Sequence, residues 1–373
     1  MKYLLVTDIP APWREKVFEN VYKRIGDEFH VIYCKHNEKR RLWKFPLGKH
    51  PKTFLSGITI STKRTKENYF NLGIIPFLLK SRPRVVVCFS LNPTIFITLI
   101  ISKLMNTNIA VFADTWIGRD KELSWFQKIG RKLYTNFFPD AFIGASRKTL
   151  AWYRYYNNNI PDESLFVSSL CADNEYFERY NKNKGTEKKY DIMFAGRIVD
   201  RKNPLFFADV AKKIKEKSGK CKALIMGDGD HELKAAMFNI LKENSVDYHF
   251  AGFVEHNELP KYYPQAKLLL FPTSGDCWGV VINEAFVSGV PVITTDMTAA
   301  AGELVLDGKN GYVLPMDSDL WVEKIRTLLE SPEKLHAFSK CARETVRKFN
   351  FANAAEGIIA CIDYLKANSE KRE

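Results

Sequence analysis

Short runs of uninterrupted apolar residues recur along the chain. Most close on glycine or another small residue and lead into a stretch where apolar positions return every three or four residues. The second half shows this most clearly. Apolar runs over 191–195, 223–226, 248–253, 267–271 and 290–294 alternate with helical periodicity over 204–217, 231–243, 258–265 and 281–287. Runs without polar alternation predict strands buried on both faces, and their alternation with helices predicts a parallel sheet with helices on both sides. The first half repeats the rhythm at 3–7, 29–33, 85–89, 109–113 and 141–145, with longer insertions. The expectation is an α/β protein of two Rossmann-like domains. The polar stretch NKNKGTEKK, which has no apolar period, marks the seam. It gives an N-terminal domain over 1–175 and a C-terminal domain over 176–351.

A chain of 373 residues is long enough for two cores, and 46% hydrophobic with 27% charged residues is the balance of a globular protein. The seven cysteines form no C-x-x-C pair and read as reduced, mostly buried thiols of a cytosolic protein. The opening MKYLLVTDIP reads as a first strand, not a signal peptide, and the longest apolar run, 94–101, is far short of the ~20 residues of a membrane span. Charge is unevenly spread. Residues 1–180 carry 28 Lys and Arg against 16 Asp and Glu, a net of +12, whereas 181–373 carry 28 against 27. A basic first half favours an anionic partner: nucleic acid, an acidic membrane surface or a phosphorylated substrate; excess lysine also serves solubility alone.

In parallel α/β sheets ligands bind beyond the carboxyl ends of the strands, so the residues that follow strands carry the information. After Ala195 comes Gly196-Arg197 and then Lys202-Asn203-Pro204, with Asn203 as N-cap and Pro204 as first helical residue. Two cations beside a helix start suit an anion, a diphosphate above all, although solvated basic residues on a loop give the same pattern. After Met226 the turn Gly227-Asp228-Gly229-Asp230 lets backbone approach a ligand, as an ordinary strand-to-helix turn also would. After Phe271 comes SGDCWGVVINEAF. Gly279 and Val280 open a helix whose amides can hold phosphate, and Glu284 follows about one turn inside it, eight positions beyond Asp276.

These blocks, with AGFVEHNELPKYY and LVLDGKNGYVLP, resemble in order and spacing the C-terminal domain of family 4 (group 1) glycosyltransferases, strongly over about 190–316 and more loosely before it. The resemblance implies the GT-B fold: two Rossmann-like domains facing each other across a cleft, with the C-terminal helix, 352–373, crossing back to the first. It implies retaining, metal-independent transfer of a hexose-type sugar from a nucleotide-diphosphate donor, a UDP-sugar ahead of GDP- or ADP-sugars, without a further cofactor. Arg197 and Lys202 match the pair that neutralises the diphosphate, and Glu284 matches the acid on the ribose hydroxyls. Asp276 stands where the family usually has glutamate, near the transferred sugar. Gly279, Val280 and Gly227 would approach the phosphates, and Phe253 and Val254 would line the base pocket. Asp114, after the strand ending at Ala113, stands near the usual position of a sugar-contacting histidine. The paired-glycine loop of many relatives is absent after strand one, where Arg14 is a candidate phosphate or acceptor contact or, equally, one partner of a surface salt bridge. Asp173 matches a hinge segment.

Two basic, aromatic stretches fit an anionic membrane surface: the loop 35–54, with Lys39, Arg40, Arg41 and Lys44, and the helical stripe Trp125, Phe126, Ile129, Leu133 and Phe137. The alternative for both is a face turned into the core. The expected function is sugar transfer to a glycan or lipid-linked acceptor in cell-surface polysaccharide biosynthesis, at the inner face of the plasma membrane. A nucleotide-sugar epimerase is harder to set aside than a glycoside hydrolase, which also uses two carboxylates but has no use for Arg197 and Lys202. Nucleic-acid binding is not expected, since no recognition module is present.

Overall fold

The apolar runs of the first half are strands of a seven-stranded parallel sheet. The computed structural model describes the chain except residues 39–44, 61–66, 121–122, 182–186 and 371–373. It divides into two units, residues 1–170 with 351–373 and residues 171–350. In the first unit the elements run β1 (Tyr3–Thr7), α1 (Pro12–Ile25), β2 (Phe29–Tyr33), β3 (Lys52–Phe54), β4 (Ile58–Ile60), β5 (Asn68–Phe70), α2 (Ile74–Ser81), β6 (Val85–Phe89), α3 (Pro93–Leu104), β7 (Asn108–Ala113), α4 (Trp125–Phe137), β8 (Ala141–Gly144), α5 (Arg147–Tyr156) and β9 (Leu165–Val167). The sheet order is β3-β2-β1-β6-β7-β8-β9, with β4 and β5 as a separate antiparallel pair. β1 and β6 are buried at every position, which is why they read as unbroken apolar runs. Strand order reverses between β1 and β6, so their carboxyl ends open a crevice.

The second unit repeats the design with α6 (Asn174–Asn181), β10 (Tyr190–Ala195), α7 (Pro204–Ser218), β11 (Lys222–Met226), α8 (His231–Glu243), β12 (Asp247–Gly252), α9 (Leu259–Tyr262), β13 (Ala266–Phe271), α10 (Val280–Val287), β14 (Val292–Thr294), β15 (Gly311–Val313), α11 (Ser318–Leu329) and α12 (Pro332–Val346). All its strands are parallel, in the order β12-β11-β10-β13-β14-β15. Phe207, Ile214, Trp321 and Leu328 build its core, each such buried side chain contributing about 1.5–3 kcal/mol of transfer free energy. The last helix, α13 (Phe351–Glu370), belongs to the first unit. It lies against β8 and β9, with Ser168 Oγ donating to Ala354 O at 2.7 Å. A Cβ on Gly357 would sit 1.8 Å from Val167 O, so the crossing requires glycine.

The two stretches read as fitting an anionic membrane surface differ in the structure. The apolar stripe of α4 faces solvent, while Tyr134 and Thr135 make its buried side. The described part of the basic loop is tied down. Gly48 N donates to buried Glu15 at 2.8 Å, Lys49 N to Glu19 at 2.9 Å, and His50 sits 3.1 Å from the Tyr33 hydroxyl. Burial pushes the His50 imidazole down to about 4, so it packs as a neutral ring. Lys39, Arg40, Arg41 and Lys44 lie outside the described residues.

Candidate functional site

The strand order of the second unit reverses between β10 and β13, and the loops that follow these strands carry most of the expected site. The loop after β10 is laced to the loop after β11: Gly196 N donates to Met226 O at 3.0 Å, Ile198 N to Asp228 O at 3.0 Å, and Asp230 N back to Ile198 O at 2.8 Å. Gly227 has φ +121°, and a Cβ there would meet Gly196 O at 1.9 Å. The glycine turn is therefore required by loop-to-loop packing.

The loop after β10 also meets the loop after β13. Ser274 N donates to Arg201 O at 2.9 Å, and Asn203 Nδ2 to Pro272 O at 2.7 Å. Asn203 is not the side-chain cap that its position before Pro204 suggests. It sits in the left-handed region, φ 47°, with its amide spent on Pro272 and no cap hydrogen bond to α7. The chain has to turn sharply enough here to bring Arg201 and Lys202 over β13, and asparagine tolerates that conformation.

The result is a compact ionic cluster. Asp276 Oδ2 accepts from Lys202 Nζ at 2.5 Å and from Arg201 Nη1 at 2.8 Å, and Arg201 also donates to Gly275 O at 3.0 Å. Burial alone would raise the Asp276 carboxyl, but Lys202 and Arg201 outweigh it and hold it down to about 2. Lys202 is itself buried, and that desolvation lowers its pKa. Asp276 works against the shift, and the positive charges of Arg201 and Arg197 add to it. The two partners thus report differently on one pair, charge being favoured on the acid and opposed on the amine. The buried pair is consequently better read as positioning than as net stabilisation. Arg197 is exposed at the rim.

Lys202 Nζ also stands 4.0 Å from the centroid of the Phe271 ring, and the same ring lies where a Cβ on Gly279 would be, 2.9 Å from its Cε1. Gly279, at φ +88°, is the N-cap of α10, which begins at Val280 as expected. The cationic cluster is thereby held beside a helix start, where Ile282 N bonds back to Gly279 O at 2.9 Å and the amides before it have no intrahelical acceptors. Inside α10, Glu284 is buried and accepts from the Tyr263 hydroxyl at 2.5 Å. Burial raises its pKa, against the pull of that hydrogen bond and of His256. Next to it Trp278 Nε1 donates to Asn283 Oδ1 at 2.8 Å, while Asn283 Nδ2 is buried without a partner. Beyond β12, Phe253 is exposed and Val254 half-buried, following the positive-φ Gly252, whose carbonyl accepts from Gly227 N at 2.7 Å.

Asp114 stands apart from this set, in the first unit. It pairs with Arg14 at 3.7 Å, and Arg14 donates to Thr7 Oγ1 at 3.2 Å with its guanidinium 5.2 Å from the Phe89 and 5.5 Å from the Phe112 ring centroid. These groups sit at or just after the carboxyl ends of β1, β6 and β7, at the crevice of the first sheet. Asp173 accepts from Tyr176 N at 3.0 Å and so supports the start of α6. Sequence reasoning missed Arg201 and Tyr263. Both lay inside the motif blocks, but only the loop contact and the α9-to-α10 packing give them a role.

Two parallel α/β units of this order define the GT-B fold of glycosyltransferases. The structure of HepE from Anabaena in complex with UDP superposes over 97% of this chain and 100% of that one, with a TM-score of 0.74 at 15% identity. Residues 176–345 match the family described as glycosyl transferases group 1. An uncharacterized 41.2 kDa protein in the cps region of Klebsiella pneumoniae is 30% identical over 192 residues, 48% of this chain and 49% of that protein. A lipopolysaccharide 1,2-N-acetylglucosaminetransferase of Salmonella typhimurium is 26% identical over 223 residues, 54% of this chain and 57% of that enzyme. The chain spans about half the length of these curated relatives.

Proposed function

We propose that the protein transfers a hexose-type sugar, with retention and without metal, from a nucleotide-diphosphate donor to a hydroxyl of a glycan or lipid-linked acceptor in cell-surface polysaccharide biosynthesis. The observation that carries this reading is the Arg201–Lys202–Asp276 cluster beside the start of α10, with Glu284 held by Tyr263 in the same helix. Lys202, Arg201 and Arg197 hold the donor diphosphate together with the Gly279–Val280 backbone, and Glu284 accepts from the ribose hydroxyls. Phe253 and Val254 flank the base. Asp276 both positions Lys202 and reaches the transferred sugar. The bond from the anomeric carbon to the diphosphate oxygen breaks, and the electron pair leaves with the nucleotide. The acceptor oxygen bonds to that carbon on the same face and passes its proton to the leaving phosphate. The cations stabilise the charge that grows on the leaving group.

The first unit takes the acceptor, with Arg14 and Asp114 at its crevice. UDP is the preferred nucleotide, consistent with UDP in the crystal of HepE, and the lipopolysaccharide enzyme supports a glycan acceptor. The basic first half draws the protein to the anionic inner face of the plasma membrane. A melting-temperature screen with UDP, GDP and ADP tests the donor, since a ligand bound only by the folded state raises its stability. UDP is expected to give the largest rise. Turnover of a UDP-sugar should fall by about 10²–10³ in Lys202→Ala, the scale for losing one group that stabilises developing charge. Undiminished turnover would remove the assignment.

A further inference from the structure

Helix α4 presents an apolar face to solvent that nothing among the described residues of its own unit covers. Trp125, Phe126, Ile129, Leu133 and Phe137 are between 44% and 69% exposed. At about 100° per residue they fall within an arc of roughly 120°. Tyr134 and Thr135 form the opposite, buried side. Lys128 and Lys132 are exposed along one edge of the apolar arc. The helix is a well-formed element, closed at its start by a capping box between Ser124 and Gln127, so the stripe is not the by-product of a frayed segment.

The patch continues onto α3. Phe96, Ile100 and Leu104 are 38%, 47% and 78% exposed. The Phe96 ring lies 6.4 Å from that of Phe138, which lies 5.6 Å from Phe137. Neither helix contains an acidic residue. Exposed Lys103 on α3, which pairs with Asp140 at 4.0 Å, joins Lys128 and Lys132, whereas Arg131 is turned inward onto Asp120. Exposed apolar area of this extent on two neighbouring helices marks an interaction surface.

We infer that α3 and α4 form a membrane-inserting surface, with the Trp125 to Phe137 stripe entering the acyl boundary of an anionic bilayer and the lysines meeting its phosphates. This rests on the membrane reading given under the proposed function and deepens it from long-range attraction to insertion by named side chains. The chemistry selects the occupant. An amphipathic helix with cations flanking an apolar arc lies in the interface plane, with the lysine stems along the apolar surface and the ammonium groups at the phosphates. A second copy of the chain fits less well, because a twofold contact sets each patch against itself and brings Lys103, Lys128 and Lys132 towards their own images with no acid on either helix.

The test uses the full chain with phosphatidylcholine vesicles that contain phosphatidylglycerol, with brominated acyl chains as quencher of tryptophan fluorescence. Wild type is expected to bind, and its fluorescence to be quenched. Trp125→Phe should still bind while losing most of that quenching. Leu133→Ser with Phe137→Ser should lower vesicle affinity by about tenfold or more, given the apolar area removed, with melting temperature and UDP binding unchanged. Charge-dependent binding without quenching, equal in wild type and the double variant, would overturn insertion and leave the electrostatic membrane reading standing. No binding to any vesicle would overturn both, leaving the donor assignment to its own test. A concentration-dependent dimer that vanishes in the double variant, without vesicle binding, would assign the face to a second copy and overturn the inference.

Discussion

Lys202 has to be charged to hold a diphosphate, and its buried setting works against that charge while Asp276 works for it. Replacing Asp276 by Asn removes the support, so the lysine loses its proton at lower pH. The expected outcome is that the alkaline limb of the kcat/KM profile moves to lower pH in Asp276→Asn. An unmoved limb would mean that Asp276 does not set the state of Lys202. Glu284 carries the opposite sign. Burial raises its pKa and Tyr263 holds it down, so Tyr263→Phe should raise it further and weaken UDP binding as pH falls through the new value. A loss of about 1–3 kcal/mol, the cost of leaving a buried acceptor without its donor, should appear in calorimetric titration and grow towards acid pH. Neither dependence is legible in the sequence. The residue types and the eight-position spacing of Asp276 and Glu284 are, but their partners Arg201 and Tyr263 come from the loop after β10 and the turn after α9.

The loops that carry these residues are held by backbone packing. Gly227→Ala sets a Cβ 1.9 Å from Gly196 O at φ +121°, and Gly279→Ala sets one 2.9 Å from Phe271 at φ +88°. Each should lower thermal stability, by about 1–3 kcal/mol for the strained backbone and more where the carbonyl cannot yield. Scanning calorimetry reads the shift, and Gly227→Ala should show the larger one because its obstacle is backbone. Elements with strong local signals were legible: β1, β2, β6 and α8 are bounded as their apolar runs and helical period predict. The three-residue strands β3, β4, β5, β9 and β15 were not, because so short a segment carries no period to read, whereas β14, equally short, lies inside the longer apolar run 290–294. Periodicity also identified the stripe of α4 without saying which side faces water, since an apolar arc has the same spacing whether it meets a core or a solvent-facing partner.

At the scale of the whole molecule, both units place polar groups beyond the strands where sheet order reverses; the two-domain α/β architecture was readable from the alternation of apolar runs with helical periodicity, and the GT-B fold from the resemblance of the motif blocks. The charge asymmetry between the halves was equally legible, and it predicts that vesicle adsorption weakens as salt screens the +12 half. Assignment of the donor to the second unit makes a sharper demand. UDP should slow amide exchange at 196–203, 227–230, 252–256 and 273–284, with little change in the sheet of the first unit. The most direct test of the central claim is calorimetric titration of UDP into wild type, Lys202→Ala and Glu284→Ala at one salt concentration. The predicted result is a saturable site in wild type that weakens at least about tenfold in each variant, tenfold being 1.4 kcal/mol. Equal affinity in all three proteins would contradict it.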